Sequence, residues 1–290
     1  MLWRACFTAF LFLCVLTSSH AAPFEQGLLW RIERPGIAPS YVFGTIHIDD
    51  PRVLELPPTV TRALRGAKTY TMEMLVDETA QRKFTRASRL ADGKDLRTVL
   101  GPGLYGQVAE KMEERGVPDA ATQKLKPWSV MLTLLLPRER PVVILDYALY
   151  QSAQQQQKPV FALETVEEQI ETFDGMPADI QIELLETVVR HEDQISGMTK
   201  DLIRAYLDRD LKRMWEINAR FTALDPGTEA ANDFFLERVL FGRSERMTRS
   251  LQPRLEQGGA FVAVGALHLY GERGILALLK QQGYRITRVY

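Results

Sequence analysis

A glycine followed three residues later by a histidine occurs twice in this chain, each time at the end of a run of strand-forming residues. Residues 40–48 read SYVFGTIHI and contain Gly44-Thr45-Ile46-His47. Residues 260–264 read AFVAV and run into Gly265-Ala266-Leu267-His268. A short apolar run bounded by glycine reads as a strand buried on both faces. Two such endings, one near each end of the chain, point to two halves of one sheet meeting at a shared place. The fold class this predicts is α/β in the mixed α+β sense: a central sheet carrying both strand–Gly-x-x-His motifs, with a large helical insertion.

The pattern between the motifs agrees. Strands are expected over 27–33, 69–75, 159–163 and 284–290, where β-branched and aromatic residues cluster. Helices are expected over 59–67, 77–90 (with Asp77 as its cap), 103–115, 128–136, 144–157, 165–173, 177–195, 200–221, 229–256 and 271–282. No Pro- or Ser-rich linker divides the chain, so residues 23–290 read as a single domain.

The first 22 residues stand apart. Arg4 precedes the apolar stretch ACFTAFLFLCVL, small residues follow, and Pro23 closes the segment. That is the pattern of a cleaved secretory signal over 1–22, too short to span a bilayer as a helix. It predicts export to a periplasm or the extracellular space, with no transmembrane segment in the mature chain. Both cysteines, Cys6 and Cys14, fall inside it, which leaves the mature chain no disulfide, thiolate ligand or cysteine nucleophile. A net charge of −1 with no basic run argues against nucleic-acid binding. No G-x-S-x-G, P-loop or dinucleotide fingerprint is present.

The chain has four histidines. His20 lies in the leader, and His191, in the charged string RHED, reads as a solvated surface residue. His47 and His268 are left. Each ends a buried strand, where a side chain is rigidly held, and Gly44 and Gly265 allow close approach of backbone or ligand. Glu73 and Glu164 stand at or beside the ends of two further strands. Imidazoles with carboxylates are the donors of metal sites, and open α/β sheets bind ligands at the carboxyl ends of their strands. Asp49 and Asp50 follow His47 closely enough to orient its ring as acceptors.

YVFGTIHI, TMEML, FALETVEEQ and FVAVGALHLYGERGILALLKQQGY together resemble the TraB/GumN family, related to the Tiki metalloproteases. The resemblance covers nearly the whole mature chain in motif order. It implies a divalent-metal site, with manganese or cobalt suggested and zinc a further option, and a hydrolase acting on a peptide or other small substrate. His47, Glu73 and His268 would hold the ion. Glu164 would serve as a further ligand or general base, and Arg243 would stabilise an oxyanion. The family arginine is usually followed by asparagine, where this chain has Ser244. The competing reading is a non-catalytic protein that binds haem or sequesters a peptide on the same fold.

Overall fold

The computed structural model describes residues 24–48, 50–136 and 144–290. The leader read at 1–22, Asp49 and residues 137–143 lie outside the described residues.

Six strands form one sheet: β1 (Leu29–Glu33), β2 (Ser40–Thr45), β3 (Thr69–Met72), β4 (Val160–Ala162), β5 (Ala260–Gly265) and β6 (Arg285–Arg288), in the order β4-β3-β5-β2-β1-β6. β1 pairs antiparallel with β2 and β6, while β2, β5, β3 and β4 run parallel. β5 is central to the parallel set, and Ala260 through Val264 are fully buried, which is why that strand reads as an unbroken apolar run. The parallel arrangement sets up the site. It brings the carboxyl ends of four strands to one edge of the sheet, with Thr45 opposite Gly265 and Met72 opposite both Ala263 and Ala162.

Among the described residues, two apolar clusters make up the interior. One lines the sheet, around Phe43, Tyr70 and Phe261. The other lies among helices Leu96–Glu113, Pro127–Leu135, Ala178–Arg190 and Glu229–Leu236, around fully buried Trp128. The Trp128 ring stacks on Phe173, meets Phe84 edge-on, and donates from Nε1 to Asp174 at 3.0 Å. This second cluster is the helical insertion that the sequence predicts. Among the described residues, no helix is long and apolar enough to cross a membrane.

Several expected helices are shorter or broken. The one expected over 103–115 begins at Leu96, capped by Asp95, and is interrupted at Gly101, whose φ of 73° no helix accommodates. The one expected over 177–195 parts at His191 into Ala178–Arg190 and Glu192–Leu207. The run expected over 200–221 stops at Leu207 and restarts at Leu211, where Asp210 accepts the Arg213 amide as a cap. Residues 271–274 form a turn closed by the Gly274 amide on the Gly271 carbonyl, so the last helix is only Ile275–Gln281. The run expected over 229–256 carries a π-helical turn, Glu237–Phe241, immediately before helix Gly242–Gln257.

Candidate metal centre

Each acid and histidine singled out at a strand end follows a different parallel strand. His47 comes just after β2, Glu73 after β3, Glu164 after β4, and His268 lies in the turn Ala266–Leu269 after β5. A capping box between Thr165 and Glu168 starts a helix directly after Glu164, which fixes where that carboxylate leaves the sheet. Arg243 and Ser244 enter from the first turn of helix Gly242–Gln257.

The two motif glycines have distinct roles. A Cβ on Gly44 would lie 2.9 Å from Leu269 Cδ1 and 3.0 Å from Ala266 Cα, so the first motif is bare where the turn of the second packs on it. The Gly265 amide donates to Glu73 Oε1 at 2.6 Å.

Buried charge is concentrated here. Arg243 Nη2 donates to Glu73 Oε2 at 2.6 Å and to Glu164 Oε2 at 2.7 Å, and its Nε reaches Glu164 Oε2 at 2.9 Å. Arg246 donates to the other Glu164 oxygen at 3.2 Å. Burial works against ionisation of Glu73, but Arg243, both histidines and the Gly265 amide overcome it and hold the carboxyl well below the usual range. Burial likewise disfavours charge on Arg243, and the two carboxylates outweigh it, leaving the guanidinium firmly protonated.

The imidazoles differ. His268 is buried, and burial drives its pKa down to about 4, so it is neutral near pH 7. Ser244 Oγ donates its single proton to the Leu240 carbonyl at 2.8 Å and lies 2.8 Å from His268 Nδ1. The hydroxyl therefore accepts from Nδ1–H, and the lone pair of His268 is on Nε2, 3.9 Å from Glu73 Oε1. His47 keeps 55% of its side-chain surface open, and its Nδ1 lies 3.0 Å from Asp146 Oδ2. Burial on its closed side lowers its pKa, but the Asp146 carboxylate, with help from Glu73, pushes it up to about 9. Thr45 Oγ1 donates to the other Asp146 oxygen at 2.7 Å.

His47, Glu73, Arg243 and His268 thus line one cavity of about 380 Å³. Glu164 stands behind Arg243, its carboxylate closed off by two arginines. Asp50 does not orient His47, because its carboxylate is taken up by the Arg52 side chain and amide. Asp146 meets His47 in its stead. Sequence reading missed that residue, and its only local signal is an acid in the first turn of helix Leu145–Gln155, a place equally suited to offsetting the helix dipole. His191 is not a solvated residue: its side chain is 16% exposed and stands 3.7 Å from Asp225.

Among the described residues, no three His, Cys, Asp or Glu side chains stand close enough together to enclose an ion. The donor chemistry does fit one. Both histidines engage a partner through Nδ1, so Nε2 is the nitrogen an ion would take, in His47 by displacing the proton that the raised pKa keeps on the ring, and an ionised carboxylate lies beside them.

The model of the TraB/PrgY/gumN family matches residues 28–288, and the chain belongs to that family. Its relatives include the zebrafish (Danio rerio) metalloprotease TIKI2, 27% identical over 90% of this chain and 60% of its own length. The human (Homo sapiens) metalloprotease TIKI1 is 26% identical over 90% of this chain and 61% of its own length. An uncharacterized protein of Shigella flexneri, YbaP, is 23% identical over 86% of this chain and 90% of its own length. The chain spans about three fifths of the Tiki relatives it matches. No solved structure is a significant match.

Proposed function

We propose that the protein is a metal-dependent peptide hydrolase, exported by its 1–22 leader and acting through residues 23–290 as one domain. The observation that carries the reading is the pair of imidazoles from the two Gly-x-x-His turns, each tied at Nδ1 and each lining the cavity that also contains Glu73 and Arg243. His47, His268 and Glu73 are the residues that would hold a divalent ion, of manganese, cobalt or zinc. Such an ion supplies Lewis acidity, polarising a carbonyl and making water more acidic.

The chain's own groups divide the remaining work. Asp146, fixed by Thr45, sets the plane of the His47 ring, and Ser244 sets the tautomer of His268. The serine thus gives the histidine a hydrogen-bond partner from the position where the family arginine is usually followed by asparagine. Arg243 keeps a fixed positive charge at the cavity wall, where oxyanion charge would develop during acyl transfer. Glu164 acts through Arg243, holding the guanidinium in place. Both its oxygens are occupied by arginines and, unlike Glu73, it lines neither cavity beside His47, which suits a positioning carboxylate better than a base or a metal ligand.

The test is turnover of unstructured reporter peptides by protein loaded with manganese, cobalt or zinc. Cleavage is expected to stop with a chelator, return with metal, and vanish in His47→Ala and His268→Ala. Turnover that survives either substitution overturns the reading.

A further inference from the structure

The reacting groups form a wall between two hollows. One, of about 680 Å³, is lined by His47, Glu73 and Arg243 together with Met74, Val76, Tyr147, Tyr150 and Phe173. The other, of about 380 Å³, is lined by the same His47, Glu73 and Arg243 together with Leu135, Leu136, Leu202, Met214 and Leu240. The two hollows have those three residues in common and no others. Apart from Asp146 and His268, which belong to the site, neither lining adds a charged side chain. Each is large enough for one bulky side chain.

Surface exposure points to the same place. Five large apolar side chains are exposed among the described residues, and three of them line these hollows: Val76 (55%), Leu136 (49%) and Tyr147 (46%). Such residues gathered beside polar reacting groups mark a binding surface. Two separate hollows on either side of a charged wall suit successive side chains of an extended peptide. A membrane or a second copy of the chain would call for one continuous apolar face. Gln81 and Gln169 in the first hollow and Thr199 in the second supply polar groups for a peptide backbone.

We infer that the site selects peptides carrying bulky apolar side chains on both sides of the reacting bond, with Val76 and Tyr147 contacting one and Leu136 the other. The inference rests on the hydrolase reading for the word "reacting", but the two can fail separately. The test is fluorescence anisotropy of labelled octapeptides on purified, metal-free protein, the two central residues being Leu-Phe, Ser-Ser or Asp-Lys. The Leu-Phe peptide is expected to bind at least about tenfold more tightly than the others. Val76→Asp and Leu136→Asp, both exposed and confirmed folded by circular dichroism, are each expected to erase most of that preference. Equal binding across the series, no binding at all, or full preference in both variants overturns the inference. So does a concentration-dependent dimer abolished by either substitution, which would make the patch a contact between copies. Apolar-selective binding with no cleavage under any metal would sink the hydrolase reading and keep the subsites. Cleavage indifferent to the central pair would do the reverse.

Discussion

The sheet side and the helical side of this molecule bury apolar residues equally well but differ in what else they bury. Around the sheet, the carboxyl ends of β3, β4 and β5 carry Glu73, Glu164 and His268, and Arg243 enters from helix Gly242–Gln257 to pair with both carboxylates, all of them buried. Around Trp128, the helical side is mainly apolar, and its polar groups serve packing: the Trp128 ring nitrogen on Asp174, and Glu192 clamped by Lys111 and Arg115 at 2.6 Å each. It reaches the site mainly through apolar walls such as Leu135 and Leu136, with neutral polar groups such as Thr199 beside them. The difference teaches a division of labour. Parallel pairing concentrates charge at one sheet edge because every strand there points the same way, and the helices shape the space around it.

The strongest way to break that division is Trp128→Ala. It should cost about 3–5 kcal/mol of stability in denaturant unfolding, because a large ring leaves a cavity among helices. Metal uptake per folded molecule should be unchanged. Uptake lost along with stability would mean that the helical side is part of the centre.

A smaller effect is expected from Asp146→Asn, which removes the carboxylate behind His47 and leaves the fold intact. Metal affinity, read by titration against a competing chelator, should fall about 10–100-fold. Unchanged affinity would show that Asp146 does not position the ring.

The smallest concerns Glu192. Burial raises its pKa, but Lys111 and Arg115 more than compensate and hold it below its ordinary value. Its contribution is therefore complete above the ordinary carboxylate pKa and is lost as pH falls through the lowered folded value. Acid titration followed by tryptophan fluorescence should show wild type losing stability below about pH 4. Glu192→Gln should be less stable at neutral pH and show a shallower acid dependence. Identical acid profiles would remove the clamp from the account.

The legible part of this architecture is local. A buried parallel strand announces itself as a short apolar run, so β5 and the end of β2 could be read directly, as could the polar residues that follow them. Glu73 and Glu164 could be picked out because an acid at the end of such a run has no local reason to be there. Asp146 could not. It lies on a helix about a hundred residues after His47, and only the packing of Leu145 and Leu149 into the sheet cluster brings its carboxylate to the ring. His191 was misread for a related reason: its neighbours in sequence are charged, but its partner Asp225 lies on a different segment. The roles of Glu164 and Ser244 depend on distances from helix Gly242–Gln257, which a one-dimensional pattern does not contain.

The central claim is that the two Gly-x-x-His imidazoles hold one ion between them, and metal content tests it most directly. Wild type and the His47→Ala/His268→Ala double variant would be stripped, reloaded with manganese, cobalt or zinc, desalted and analysed for the element. The account predicts about one ion per wild-type chain and none above background in a folded double variant. Equal metal in the two proteins would contradict it.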